Sequence, residues 1–157
     1  MTVIPPAGYR LCVGILLVNE EGLIFVGERL DTPGAWQMPQ GGIDKGEVPL
    51  AAGLRELTEE TGVNTTSILA ISDQWRTYDL PDKLAHKSWQ GRYRGQTQIW
   101  LALRFNGDES EINLQTAEPE FCRWKWTSPR TLLTEVVDFK RKTYRGVLEE
   151  FAPFIAS

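Results

Sequence analysis

The chain has 157 residues and a formal net charge of -4, with a sequence pI near 5.1. Hydrophobic residues make up 41% of the chain and charged residues 24%, as in ordinary soluble globular proteins, and the length predicts a single domain spanning residues 1–157. These values exclude a globally basic nucleic-acid-binding surface, so any contact with nucleic acid must come from a local patch.

The start of the chain, MTVIPPAGYR, lacks the charged segment and apolar core that mark a signal peptide, and its two prolines and glycine predict a loose lead-in over residues 1–8. No apolar run is long enough to span a bilayer. The two cysteines, Cys12 and Cys122, cannot make a disulfide scaffold and fit a reducing compartment. We therefore expect a cytoplasmic protein with no membrane partner.

The first predicted elements are two strands. YRLCVGILLV, residues 9–18, has the pattern of a buried strand that holds Cys12 as a buried free thiol. NEEG is a turn, and LIFVGERL, residues 23–30, is the antiparallel partner. The Gly- and Pro-rich stretch over residues 29–47 is too long for a simple connector, so we expect a functional loop there.

A helix is predicted over residues 48–61, because Leu50, Leu54 and Leu57 recur at helical spacing. Gly62 is placed to end this helix. A strand, a long loop of mixed charge and a second strand are predicted next, over residues 67–80, 80–96 and 97–105.

The last part of the chain is predicted to hold an acidic connector, an edge strand, a short helix and an amphipathic terminal helix. These segments cover residues 106–121, 122–129, 131–137 and 139–155. Strands interleaved with a few helices predict an α/β fold in which helices cover the faces of a mixed sheet.

The predicted helix over residues 48–61 carries an unusual group of glutamates. Glu56, Glu59 and Glu60 present three carboxylates within about one helical turn. Like charges at this spacing cost a few tenths of a kcal/mol per pair. Arg55, four residues before Glu59, can offset part of that repulsion, and a hard divalent cation can bind the remaining oxygens. A solvated acidic helix face is the alternative explanation.

The residues around these glutamates resemble the signature of the Nudix hydrolases at every specified position. Gly41 is followed after five residues by Glu47 and, after seven more, by the run RELTEETGV that begins at Arg55. A chance match at one start is on the order of 10⁻⁹ from average residue usage. The resemblance implies an α/β/α sandwich with a mixed β-sheet and a loop-helix-loop that binds divalent metal. It also implies hydrolysis of a nucleoside diphosphate linked to another group.

Further segments resemble bacterial RNA pyrophosphohydrolases and the related dinucleoside polyphosphate hydrolases. They are GYR at 8–10, AWQMPQGGID at 35–44, EINLQT at 111–116, PEF at 119–121 and VVDFKRKTYRGVLEEF at 136–151. The insert over residues 31–34, Asp-Thr-Pro-Gly, is more similar to the dinucleoside polyphosphate branch. The resemblance therefore covers nearly the whole chain and implies two substrate classes.

The resemblance also implies roles for individual residues. The metal site would be formed by Glu56, Glu59, Glu60, Glu120 and Gly41. Glu47 and Arg55 would support catalysis by bracing the loop and orienting the carboxylates. Phe139 would stack on the nucleobase beside Val137. Phosphate or base contacts would come from Arg10, Arg29, Gln40, Tyr78 and Lys140.

Other hydrolytic chemistries lack their residues in this sequence. His86 is the only histidine, so a two-histidine zinc site cannot form, and neither a Gly-x-Ser-x-Gly elbow nor a Walker glycine motif occurs. What remains is metal-assisted attack of water on phosphorus, with one carboxylate accepting the proton. The general base is left open among the four candidate metal-binding glutamates. His86 itself is expected at the surface.

The sequence therefore predicts a cytoplasmic, Mg²⁺- or Mn²⁺-dependent Nudix hydrolase acting on triphosphorylated RNA ends, on dinucleoside polyphosphates, or on both. The basic stripe formed by Lys140, Arg141, Lys142 and Arg145 is either a phosphate or RNA contact or the solvated face of the last helix. Two other functions stay open: a nucleotide-pool sanitising pyrophosphatase and a non-catalytic Nudix-fold regulator. We expect a monomer that binds neither DNA nor membranes.

Overall fold

The computed structural model describes residues 4–157, except for the side chains of residues 86, 87, 89 and 90. The first three residues of the predicted lead-in and the predicted exposure of the His86 side chain thus lie outside the described part. No helix within it is both long enough and apolar enough to cross a membrane.

One mixed sheet forms the centre of the described chain. Its eight strands are β1 (Tyr9–Val18), β2 (Ile24–Arg29), β3 (Trp36–Gln37), β4 (Gln40–Gly42), β5 (Thr66–Ile71), β6 (Arg76–Asp79), β7 (Gly95–Phe105) and β8 (Phe121–Thr127). β1 and β7 run parallel along their length. β2 and β4 pair antiparallel with the other side of β1, β5 and β6 pair with β7, and β3 and β8 pair with β2.

Helices cover both faces of this sheet. They are α1 (Pro49–Thr61), α2 (Asp82–Lys87), α3 (Pro129–Glu135) and α4 (Asp138–Glu150). Alternate residues of β1 divide the core: Val13, Ile15 and Leu17 pack in the cluster that includes Leu57 of α1, whereas Leu16 and Val18 pack with α3 and α4. Because strand side chains alternate between faces, one apolar strand serves both layers, and the predicted sandwich is confirmed.

Most predicted elements are present, and some bounds change. The strand over residues 9–18 is confirmed as β1, and Cys12 is a fully buried free thiol. α1 begins at Pro49, one residue after the predicted start, and ends at Gly62 in a left-handed conformation with φ 78°. β8 pairs with β2 alone among the described strands, as an edge strand does.

The prediction of one strand over residues 67–80 was wrong. The chain forms β5, turns, and then forms β6 further along β7. At the turn the Ser72 hydroxyl accepts from the Gln74 N–H at 3.4 Å and donates to the distant Glu150 at 3.0 Å. The long loops are also more ordered than predicted: residues 29–47 contain β3 and β4, and residues 80–96 contain α2 and a short 3₁₀ helix, Ser88–Gly91.

Candidate active site

Arg55 ties the start of α1 to the loop before it. Its Nε and Nη2 donate to the two carboxylate oxygens of Glu47 at 3.0 and 2.9 Å, and Nη2 also donates to the Gly42 carbonyl at 2.9 Å. The Asp44 N–H donates back to Glu47 at 3.0 Å. The hydrogen bonds from Arg55 and then from Asp44 lower the pKa of Glu47 to about 2. We refer to this arrangement, formed by Gly42, Asp44, Glu47 and Arg55, as the arginine brace.

The three glutamates of α1 have three different environments. Glu59 is 57% exposed and Glu56 is largely buried, and Arg55 Nη1 lies between them at 3.2 and 2.9 Å. Glu60 is only 6% exposed, and its Oε2 is a buried atom without a hydrogen-bond partner. Burial, followed by the charges of Glu56 and Glu120, raises the pKa of Glu60 well above its ordinary value. The arginine therefore offsets the repulsion between Glu56 and Glu59 but leaves Glu60 uncompensated.

Gly41 is required where β4 passes over α1. A Cβ at this position would lie 2.0 Å from Cδ of Glu56, far inside van der Waals contact. The missing side chain thus creates the space that the Glu56 carboxylate occupies. Burial raises the pKa of Glu56, while the hydrogen bond from Arg55 lowers it.

A cavity of about 710 Å³ opens beside these carboxylates. Its acidic wall is formed by Glu56, Glu59, Glu60, Glu118 and Glu120. Carboxylate oxygens are the ligands that hard divalent cations prefer, and the unpartnered Oε2 of Glu60 is an oxygen that a cation would satisfy. The donor set therefore fits such an ion, although no three acidic, His or Cys side chains of the described chain already converge as a closed coordination group.

Two arginines also line this cavity. Arg29 makes a bidentate pair with Asp31 at 2.8 and 2.6 Å and also donates to Gln37 at 3.2 Å. Arg10 lies over Gly42, where a Cβ would come 2.5 Å from its Nη2. Both predicted phosphate contacts thus line the cavity in fixed positions.

A second cavity of about 340 Å³ combines aromatic and aliphatic side chains with polar ones. Tyr78 and Phe139 form one side with ring centroids 5.7 Å apart, and Val137 and Leu84 contribute aliphatic surface. At its edge the buried Lys140 donates to Gln37 at 2.9 Å, and burial followed by the charge of Arg29 lowers the Lys140 pKa to about 7. This lining suits a nucleobase.

The two cavities share three lining residues, Arg29, Gln40 and Gln96. The structure therefore brings together the candidate ligand-contacting residues: Gly41, Glu56, Glu59, Glu60, Glu120, Arg10, Arg29 and Gln40 line the first cavity, and Tyr78, Val137, Phe139 and Lys140 line the second. Glu47 and Arg55 line neither cavity, and Arg55 contacts the acidic wall through Glu56 and Glu59. The individual roles stay predictions.

Of the glutamines in this region, only Gln40 was predicted from the sequence, and Gln37, Gln96 and Gln98 were not. Gln37 accepts hydrogen bonds from both Arg29 and Lys140, and Gln96 and Gln98 are buried on β7. The available signal was two polar residues at alternate positions of an otherwise apolar strand, which places them on one face.

The basic stripe divides in the structure. Lys140 lines the second cavity, whereas Arg141, Lys142 and Arg145 line neither cavity. Arg141 donates to the carbonyls of Leu133 and Val136 at 2.8 and 3.2 Å and pairs with Asp138. Its contacts are therefore those of a residue that holds the end of α3 to α4.

Comparison with known proteins agrees with this geometry. The family model described as NUDIX domain matches residues 8–147. An RNA pyrophosphohydrolase of Roseobacter denitrificans is 51% identical over 146 residues, which cover 91% of each protein. An RNA pyrophosphohydrolase of Rhodospirillum rubrum is 49% identical over 159 residues, which cover 98% of this chain and 96% of the relative.

Solved structures share the fold at lower sequence identity. The E. coli dihydroneopterin triphosphate pyrophosphohydrolase aligns with a TM-score of 0.69 and 17% identity, over 90% of this chain and 98% of the other. A C. elegans Ap4A hydrolase binary complex aligns with a TM-score of 0.64 and 16% identity, over 91% of this chain and 99% of the other. At this identity the likeness concerns the fold alone.

Proposed function

Because the chain belongs to the Nudix hydrolase family, we propose that it is a metal-dependent pyrophosphohydrolase that removes pyrophosphate from 5′-triphosphorylated RNA and also splits dinucleoside polyphosphates. Relatives named RNA pyrophosphohydrolase, about half identical over nearly the whole chain, support the RNA activity. The observation that carries the proposal is the pair of joined cavities, one acidic and one aromatic.

The two cavities match the two ends of one ligand. A polyphosphate requires cations and N–H donors around it, and the first cavity offers Arg10 and Arg29 in addition to the acidic wall. A base requires a flat apolar surface, which the Phe139 ring would supply beside the tilted ring of Tyr78 in the second cavity. The shared residues lie where such a ligand would pass from phosphate to base.

The acidic wall is the proposed metal site. Glu56, Glu59, Glu60 and Glu120 would hold Mg²⁺ or Mn²⁺, which when bound neutralises phosphate charge and lowers the pKa of attacking water. The arginine brace keeps α1 and its loop in register, and Gly41 leaves room for the Glu56 carboxylate. One of the four carboxylates accepts the proton of the water.

A direct competition between substrates tests this proposal. Triphosphorylated RNA and diadenosine tetraphosphate are offered with Mg²⁺ and then Mn²⁺, and kcat/KM and the products are measured for each. We expect pyrophosphate from RNA, and a nucleoside triphosphate plus monophosphate from the dinucleotide. Turnover of neither, with rapid turnover of a single nucleoside triphosphate, would indicate a pool-sanitising enzyme instead.

The aromatic pocket gives a second test of the same proposal. Phe139→Leu keeps an apolar side chain but removes the flat ring, and base stacking is worth about 1–3 kcal/mol. We expect KM for the dinucleotide to rise about tenfold with kcat little changed. An unchanged KM would remove Phe139 from the base contact.

The exposed free cysteine bears on where the enzyme acts. The thiol of Cys122 is exposed and unpaired in a disulfide, as a reducing compartment permits. We propose a cytoplasmic monomer that needs neither DNA nor a membrane, and light scattering of the purified protein measures its oligomeric state.

A further inference from the structure

Three glutamines form a buried hydrogen-bonded array at the junction of the two cavities. Gln98 Nε2 donates to Gln40 Oε1 at 3.1 Å and to Gln96 Oε1 at 3.0 Å. Gln40 Nε2 donates to the same Gln96 oxygen at 3.2 Å, and the Tyr78 hydroxyl donates to it at 2.9 Å. Gln98 is fully buried and Gln96 nearly so. We refer to Gln40, Gln96 and Gln98 as the glutamine array.

Trp100 fixes the direction of this array. Its indole Nε1 donates to Gln98 Oε1 at 3.1 Å, and an indole N–H can donate but never accept. The ring cannot turn away, because it is fully buried against Gly14, where a Cβ would lie 2.5 Å from its atoms, and packs edge-on against Tyr144. The amide oxygen of Gln98 must therefore face Trp100, and its nitrogen must face the other two glutamines.

The orientation of the Gln98 amide in turn determines how the amides of Gln40 and Gln96 are oriented. Both hydrogens of Gln98 Nε2 are taken by the oxygens of Gln40 and Gln96. The Gln96 oxygen thus receives three donors and has no capacity left. Within the described part of the chain no acceptor takes the hydrogens of Gln96 Nε2, and Gln96 lines both cavities. The group that Gln96 can offer to a ligand is accordingly an N–H donor.

We propose that Trp100 and Gln98 are positioning residues that hold the Gln96 amide with its N–H₂ toward the ligand, where it binds a phosphoryl oxygen at the junction of the two cavities. A neutral donor at this point recognises a phosphate without adding a further charge beside Arg29 and Lys140. This inference rests on the proposed function, because it assigns a contact to the same polyphosphate substrate.

Binding of inorganic pyrophosphate in the presence of Mg²⁺ tests the donor itself. Gln96→Met removes the donor while keeping the length of the side chain, and we expect pyrophosphate affinity to fall about tenfold, as for one lost hydrogen bond to a charged group. Adenosine serves as the second probe, because a donor aimed at ribose oxygens would change adenosine affinity instead. That outcome would overturn the phosphate assignment.

Three further variants test the positioning. Trp100→Phe and Gln98→Met remove the directing group without adding charge, and we expect each to weaken pyrophosphate binding about threefold to tenfold. Gln98→Glu can only accept, so it draws the N–H groups of Gln40 and Gln96 inward, and we expect at least a tenfold loss. The matched control is Gln74→Glu, at an exposed position that lines neither cavity, and we expect its affinity to stay within twofold of the wild type.

If a variant fails to fold, a measurement on the unmodified protein tests the orientation of the Gln98 amide. Nuclear Overhauser contacts from the Trp100 indole hydrogen should be weak toward the Gln98 amide hydrogens, because those hydrogens point away from the ring. A strong contact, or pyrophosphate affinity unchanged in Gln96→Met, overturns the inference. Failure of the proposed function would look different: pyrophosphate would still bind through Gln96, but neither RNA nor dinucleotide would be hydrolysed.

Discussion

Arg55 and Glu60 lie five residues apart in α1, yet their surroundings are opposite. Arg55 donates to the Glu47 carboxylate and the Gly42 carbonyl in the arginine brace and also to the carboxylates of Glu56 and Glu59, and the hydrogen bond to Glu47 is the main cause of its raised pKa. Glu60 is buried with one oxygen that receives nothing. An unpaired buried carboxylate costs stability, so the arginine brace supports the fold, whereas the proposed role of Glu60 is to bind a ligand.

The largest expected effect comes from removing the Glu60 charge. Glu60→Gln should lower kcat on the order of 10³-fold, as for loss of several kcal/mol of charge stabilisation. The metal-free variant should be at least as thermally stable as the wild type, because a buried charge is lost. Paired measurements of activity and melting temperature check this. Metal-dependent turnover at the wild-type rate would refute the assignment of Glu60 to the metal site.

Gly41 tests whether the position of Glu56 matters as much as its presence. Gly41→Ala places a Cβ against the end of a flexible side chain rather than against backbone, so the fold should adjust and the Glu56 carboxylate should move. We expect activity to fall on the order of 10²-fold, as for an ångström of misplacement. Circular dichroism should show an intact fold. Activity at the wild-type level would show that the reaction does not depend on the exact position of the Glu56 carboxylate.

In contrast to Gly41→Ala, a substitution in the arginine brace should affect the stability of the fold more directly than the catalytic rate. Arg55→Lys keeps the charge but loses the bidentate contact with Glu47, and we expect a lower melting temperature and a loss of activity on the order of tenfold. Arg141→Lys is the matched control, since Arg141 also holds carbonyls but lines neither cavity. We expect it to lower the melting temperature with kcat unchanged.

The smallest expected effect is an opposite pH dependence of the contributions that Glu60 and Glu47 make to stability. Glu60 has a raised pKa, so in the metal-free protein its contribution to stability is present below about 4.5, the ordinary value, and is lost as pH rises through the folded-state pKa. Glu47 has a pKa lowered to about 2, so its contribution is present above 4.5 and is lost as pH falls toward 2. Urea titrations across pH should show both slopes, and Glu60→Gln should abolish the first alone.

Local pattern was enough for several parts of this molecule. β1 and the helix α1 were predicted within one residue, because an apolar strand and leucines at helical spacing are properties of neighbouring residues. The turn at Ser72 was not predicted, because β5 and β6 both read as strand and the break depends on a bond between Ser72 and Glu150, which lies 78 residues away.

The candidate site shows the same division. The spacing from Gly41 to Val63 singled out the glutamates, and resemblance supplied half of the residues that line the two cavities. Glu60 could not be told from Glu59 before folding, because both are glutamates on one helix and only packing buries one of them. Gln37 was missed because its partners Arg29 and Lys140 meet it only in the folded chain.

The sequence by itself determined most of the sheet and helix pattern, the glutamate spacing and the family. Each of these depends on residues that lie a few positions apart in the chain. Tertiary structure alone decided which carboxylate lost its partners, how Gly41 makes room for Glu56, and how Trp100 directs the glutamine array. The physical reason is that desolvation and hydrogen-bond direction depend on every group that surrounds an atom, and strands and helices distant in sequence supply those groups.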